Sequence, residues 1–272
     1  MLETFDLQDV TPRRTPLPPN IKLQASPNPL PDVDRIFMHN KPYRAVVGSM
    51  MWGQVCTRPD ISFAVGYLAR YQLNPGPEHW EAVRWLAGYI LATLDYTITY
   101  RRPPVGSELS KGEGLKPCGY LDADHAGCMD TRRSTSGNVF FMAGGPVTWS
   151  SKRQPTVALS TAEAEYISGA RASQQASWLM SFLEEVDLKQ VGPVTLHGDN
   201  SAAVSLAQNT RNLNLVKHIQ MRYLFMKEKV ENGEIAMKLI RMGENVADIF
   251  TKALSGTIHA KWVRFLGLDR TN

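Results

Sequence analysis

Apolar residues along this chain follow different periods in its two halves. From Pro42 onward Ile61, Ala64, Val65 and Leu68 recur at helical spacing, with Asp60 placed as an N-cap acceptor. The breaker Asn74-Pro75-Gly76-Pro77 precedes a second helix, on which Trp80, Val83, Ala87, Ile90 and Leu91 share one face while Arg84 charges the other. Tyr96 to Tyr100 alternates and is rich in β-formers, which predicts a short strand. The second half mixes periods. Strands are predicted at Cys118–Asp122, Asn138–Ala143, Val147–Ser151, Val194–His197 and Ile235–Ile240, with a turn at Gly144-Gly145-Pro146. Between and after them run helices from Thr161 to about Glu184, from near Ser201, from about His218 to Val230, and from Val246 to Leu254. That order is an α/β layer fold behind a small helical unit.

Punctuation sets the boundaries. About seven of the 17 prolines lie between Pro12 and Pro31, so residues 1–40 are expected to be largely irregular. Residues 41–102 form the helical unit, and the Pro/Gly/Ser-rich stretch 103–116 is a linker. The α/β domain covers 117–256, and a C-terminal helix and tail cover 257–272.

Composition narrows the class. Of 272 residues, 43% are hydrophobic and 21% charged, which is globular usage rather than disordered or collagen-like. The longest apolar stretch, Trp85 to Leu94, contains Gly88 and Thr93 and falls short of the roughly 20 residues of a spanning helix, so no membrane association is expected. The first residues lack the basic start and apolar core of a secretory signal. Cys56, Cys118 and Cys128 show no paired spacing, which argues against a disulfide framework or zinc site and for a reducing compartment. The net charge of +4 permits a polyanionic partner without demanding one.

The candidate chemistry is carboxylate. Asp122 and Asp199 each terminate an apolar strand, and Asp248 interrupts the apolar run Val246–Phe250. A buried, unpaired carboxylate costs several kcal/mol or neutralises, so each needs a cation or strong donors. One shared divalent ion would satisfy all of them. Taken singly, Asp199 is also placed to cap the following helix, and Asp248 to sit in a first turn where the macrodipole favours it. Glu163 and Glu165 stand about 200° apart around the helix axis, so only one can face such a site. Ser160 and Glu163 have the spacing of a capping box, which leaves Glu165 as the ligand. Asp124, expected on an irregular segment, is read as solvated or outside the ligand set.

The motifs Gly119-Tyr120-Leu121-Asp122-Ala123-Asp124, Arg132-Arg133-Ser134-Thr135-Ser136-Gly137, Gly144 through Lys152, Ala158 through Tyr166, and Ala247-Asp248-Ile249-Phe250-Thr251-Lys252 closely resemble the ribonuclease H domain of copia-type LTR retrotransposon polyproteins. Tyr43 through Ser49, Thr57 through Ile61 and Glu78-His79-Trp80 resemble the connection that precedes that domain, so the likeness covers about residues 40 to 268. The resemblance implies a ribonuclease H-like five-stranded mixed sheet flanked by helices, preceded by a mostly helical, thumb-like connection unit. It implies hydrolysis of the RNA strand of an RNA/DNA hybrid with two Mg²⁺ ions, or Mn²⁺ in their place, held by Asp122, Glu165, Asp199 and Asp248. Such ions, about 3.5–4 Å apart, stabilise the attacking water and the leaving oxygen. The polymerase portion of the same polyprotein is an implied partner. The implied location is cytoplasmic, including retrotransposon particles with nuclear access, and not secreted.

Arg132, Arg133, Lys152, Arg153 and His218 are candidate substrate contacts, each weighed against an ordinary solvated face. His197 and His125 are assigned less: His197 is read as a satisfied sheet residue. Trp80, Trp85 and Trp178 are read as core. The sequence departs from the family at Leu121, at His125-Ala126-Gly127, and at Gln220 and Leu224 in the segment that follows Lys217. No Asp-Asp pair of a polymerase turn occurs. The order Asp, Glu, Asp, Asp disfavours an integrase. The alternative is a non-catalytic nucleic-acid-binding or interaction remnant of a truncated retrotransposon polyprotein.

Overall fold

The computed structural model describes residues 1–100, 116–201, 204–205 and 217–270, with the backbone alone at 217–223 and Asp269. The predicted linker, except for its last residue, and most of the helix expected after Ser201 lie outside the described residues. No described helix is long and apolar enough to cross a membrane. The chain forms two compact units. Met1–Thr99, Cys128–Arg132 and the segment from Lys252 onward make the first, and Tyr100–Gly127 with Arg133–Thr251 make the second.

In the first unit α1 (Asp32–Met38), α2 (Tyr43–Cys56), α3 (Ser62–Leu68) and α4 (Pro77–Ala92) are followed by β1 (Tyr96–Ile98). α7 (Gly256–Phe265) and β7 (Leu268–Arg270) belong to it as well, β7 pairing antiparallel with β1. The proline-rich segment is irregular up to α1, which was not foreseen, yet it is anchored. Leu2, Leu7, Val10, Leu17 and Leu23 are buried with Val46, Val65, Leu68 and Leu86. Side chains replace the missing ladder partners: Tyr71 Oη donates to the Leu23 carbonyl at 2.8 Å, and Trp85 Nε1 to the Thr15 carbonyl at 2.9 Å. Gly88 makes a close crossing possible, because a Cβ there would meet the Thr11 carbonyl oxygen at 2.2 Å.

Asp60 caps nothing. It sits in a short 3₁₀ turn, Pro59–Ile61, buried at 1% exposure, and Arg58 clasps it with Nε and Nη2 at 2.9 Å each while Tyr89 Oη donates to it at 2.6 Å. An ion pair that deep needs its remaining donors occupied, and Arg58 also donates to the Thr93 carbonyl and hydroxyl.

The second unit is built on the strand order β4-β3-β2-β5-β6: β2 (Cys118–Asp124), β3 (Thr135–Met142), β4 (Gly145–Arg153), β5 (Val194–Gly198) and β6 (Ile235–Leu239). β2, β3 and β4 are antiparallel neighbours, whereas β5 pairs parallel with both β2 and β6. This is the ribonuclease H-like mixed sheet. α5 (Thr161–Glu185) packs on it through Tyr166, Ala172, Ala176, Leu179 and Leu183, against Leu121, Phe140 and Leu196. α6 (Lys217–Glu231) packs against α5. The β3–β4 hairpin turns one residue earlier than expected, at Ala143-Gly144, both with positive φ, as a two-residue primed turn requires.

Several sequence expectations are corrected. Residues 246–254 are not one helix: a 3₁₀ turn, Val246–Phe250, is followed by the separate α7. Asp122 does not end its strand, since β2 runs on to Asp124, which therefore lies on the strand and not on an irregular segment. Trp178 is no core residue, being 56% exposed and stacked on Phe182 at 5.7 Å.

Candidate metal centre

The register of two strands brings two of the acids together. Tyr120 on β2 lies opposite His197 on the parallel β5. Two residues further along each, side chains return to the same side, which sets Asp122 level with Asp199 just beyond the strand. Glu165 comes from the second turn of α5, whose start is fixed by its cap. Ser160 Oγ accepts from the Glu163 N–H at 3.1 Å, as the capping box predicts. The Glu163 carboxylate reaches the Leu159 N–H at 2.9 Å rather than that of Ser160, so its role is still local. Gln154 ties the same turn to the sheet by donating to the Ala164 carbonyl and Ser136 hydroxyl.

One carboxylate oxygen from each of Asp122, Glu165 and Asp199 lies within 4.8 Å of the others. Asp122 and Glu165 are buried, at 4% and 5% exposure, and Asp199 is half-buried. Burial first, then the charges of Asp122 and Asp199, push the Glu165 carboxyl up to about 9, although the Ala123 N–H donates to it. Glu165 Oε2 is buried with no hydrogen-bond partner among the described residues. Three converging acids of this kind hold either a proton or a cation. Hard carboxylate oxygens around an orphaned buried acceptor fit Mg²⁺ or Mn²⁺.

Asp248 stands outside this group of three. It is half-buried on the 3₁₀ turn, which packs against β2 and β3. Lys152 and Arg153 are exposed at the end of β4, and Arg133 is half-buried in the same unit, whereas Arg132 belongs to the first unit. His218 lies where only the backbone is described. His125 Nε2 is 3.1 Å from the Ala158 carbonyl, and the His197 ring stacks on Tyr120 at 4.7 Å with its Nδ1 unpartnered among the described residues.

Sequence reasoning missed the groups that hold Asp122. Asn245 Nδ2 donates to the Leu121 carbonyl at 2.7 Å, Ser168 Oγ to the Asp122 carbonyl at 2.7 Å, and the Thr251 hydroxyl to the Asp122 carboxylate. Their signal was faint: Thr251 lies within the Ala247–Lys252 motif, but a lone Thr after a turn has no distinctive pattern.

Comparison with known proteins decides the lineage. The chain is 39% identical over 254 residues to the retrovirus-related Pol polyprotein from transposon TNT 1-94 of Nicotiana tabacum, covering 93% of this chain and 18% of that protein. It is 34% identical over 226 residues to the polyprotein from transposon RE2 of Arabidopsis thaliana, covering 83% of this chain and 15% of that one. The homologues of this chain are thus Pol polyproteins of plant copia-like retrotransposons, similar to it over most of its length. The chain spans less than a fifth of either relative. Among solved structures, a ribonuclease H1 isolated from compost by a metagenomic approach aligns over 50% of this chain and 93% of its own, with a TM-score of 0.39 and 18% identity. No family model matches the chain. The second unit is a ribonuclease H-like domain, and its fold brings Asp122, Glu165 and Asp199 together.

Proposed function

We propose that this chain hydrolyses the RNA strand of RNA/DNA hybrids at the Asp122, Glu165 and Asp199 cluster, using two Mg²⁺ ions that Mn²⁺ can replace. One observation carries the reading: Asp122, Asp199 and the buried Glu165, from three separate elements, bring their carboxylate oxygens within 4.8 Å of one another. Bound divalent ions supply Lewis acidity and a water nucleophile at neutral pH. The chain's own residues do the rest. Asp122, Glu165 and Asp199 offer the ligand oxygens, and Asp248, on the neighbouring turn, is the proposed fourth ligand. Lys152, Arg153 and Arg133 are the proposed phosphate contacts on the side of the β3–β4 hairpin, with Arg132 and His218 as further candidates. The polymerase portion of the polyprotein is the proposed partner, and a cytoplasmic particle the proposed location.

The test is cleavage of a labelled RNA/DNA hybrid by the purified chain. Mg²⁺-dependent cutting of the RNA strand, stopped by chelator and absent on duplex DNA, is the expected result. Equal cutting of duplex DNA, or indifference to chelator, overturns it. Hybrid binding without cleavage favours the non-catalytic remnant instead.

A further inference from the structure

We infer that Thr251 is a positioning residue for the acid cluster: its buried hydroxyl fixes the Asp122 carboxylate in the orientation that offers its other oxygen to a divalent cation. The inference rests on the metal-dependent reading above and adds to it a residue outside the four acids.

Three observations meet at this point. Thr251 is fully buried at 0% exposure, and its hydroxyl donates to Asp122 Oδ2, with the Asp248 carbonyl oxygen also within reach at 3.1 Å. A hydroxyl has one proton to give, and the charged acceptor takes the stronger bond. The carboxylate needs such an anchor because the terminal torsion of an aspartate is broad and soft. Threonine suits the task, since its branched Cβ restricts χ1 and so aims the hydroxyl.

The backbone around it is built for this approach. Gly137 lies directly opposite Asp122 on β3. A Cβ at Gly137 would meet Thr251 Cγ2 at 2.7 Å, Phe250 Cβ at 2.8 Å and the Ala247 carbonyl oxygen at 3.0 Å. The turn that carries Asp248 and Thr251 can therefore lie against the strand only because that residue has no side chain. Asn245, buried at the start of the turn, fastens it from the other end by donating to Leu121 and accepting from the Ala247 N–H at 3.1 Å. Thr251 and Asn245 bracket Asp122 from one turn.

The experiment is Mn²⁺ titration of the full chain, without nucleic acid, followed by electron paramagnetic resonance. Thr251→Val keeps the shape and removes the donor, Thr251→Ala removes the donor without any risk of overpacking, and Thr251→Ser keeps it. Loss of a group that orients a metal ligand typically weakens affinity by about 10- to 100-fold. We expect the Val and Ala variants to bind about tenfold or more weakly, the Ser variant to stay within about threefold of the native chain, and melting in chelator to show all of them folded. Native affinity in both the Val and Ala variants overturns the inference. So does a Ser variant as weak as they are. If the affinity order holds while the native chain leaves the hybrid uncut, the inference stands and the proposed reaction alone falls.

Discussion

At the scale of single residues, two glutamates two positions apart on one helix have opposite jobs. Glu163 points back along the chain and accepts from Leu159, whereas Glu165 is buried against Asp122 and Asp199. Glu163→Ala should therefore lower stability by about 1 kcal/mol, the scale of a lost helix cap, and leave most of the hybrid cleavage. Glu165→Gln should abolish divalent-ion binding and cleavage while the metal-free melting temperature holds or rises, because it removes a carboxyl whose charged form burial and two acidic neighbours disfavour. Paired melting curves and cleavage rates check both. An inactive Glu163→Ala beside an active Glu165→Gln would shift the ligand to Glu163. This division was legible from sequence, since helix geometry forbids both side chains from facing one point and the Ser160 spacing named the local one. The pairing of Arg58 with Asp60 was not. Asp60 before an apolar run has the pattern of a cap, and only the fold shows that Tyr89 and Thr93, some thirty residues on, complete a buried ion pair around it.

At the scale of elements, glycines mark where segments touch. Gly137→Ala should displace the 3₁₀ turn from β3 and with it both Asp248 and Thr251. Of the three contacts its Cβ would make, one is a carbonyl oxygen, which cannot swing aside. The expected outcome is a folded chain that has lost at least tenfold in Mn²⁺ affinity, in line with disturbed ligand orientation. Unchanged affinity would show that the turn gives way at no cost to the site. Gly88→Ala tests the other unit. Its Cβ would sit 2.2 Å from the Thr11 carbonyl oxygen, so the proline-rich segment should detach from α4 and become sensitive to protease between residues 8 and 20, which a native digestion pattern would refute. Most elements of the sheet unit could be read in advance, because strands of period two and a capped helix leave strong local signals. Two failures had a common cause. The 3₁₀ turn was read as a helix running on to Leu254 because Val246, Ile249, Phe250 and Leu254 mimic a helical stripe, and Trp178 was put in the core because it shares α5 with buried Leu179 and Leu183. Local periodicity does not say which apolar face finds a partner.

At the scale of the whole chain, buried Asp60 in the first unit and buried Glu165 in the second are shifted in opposite directions. In the first unit burial works against ionised Asp60, but Arg58 and then Tyr89 outweigh it and hold its carboxyl below the usual range. His259 on α7, its ring edge-on to Tyr89 at 5.3 Å, is pushed down by burial. Both shifts have one sign: in mild acid the unfolded chain binds more protons than the folded unit, so stability is present at neutral pH and lost as pH falls, first through His259 and then through Asp60. In the second unit Glu165 is raised from 4.5 to about 9, so between those values the folded unit holds a proton that the unfolded chain has released. Stability there declines as pH rises. His197, lowered by burial and Lys238, opposes that trend only in the acid range, which leaves the interval from about pH 6.5 to 9 to Glu165. Hydrogen exchange, corrected for intrinsic rates and followed peptide by peptide in chelator, separates the units. Peptides from β2 and α5 should lose protection from pH 6.5 to 9, while those spanning Arg58–Asp60, Tyr89 and His259 should lose it on acidification. Glu165→Gln should flatten the first trend and leave the second. Mg²⁺ should restore the protection that the β2 and α5 peptides lose at alkaline pH, because cation binding needs the carboxylate that high pH supplies and replaces the proton with a stronger partner. Asp60→Asn strips Arg58 of its buried partner, so it should cost roughly 3–5 kcal/mol in the helical unit and leave the Glu165 trend as it was. A native chain whose β2 and α5 peptides keep the same protection up to pH 9 in chelator would mean that Glu165 is not held protonated in the folded state.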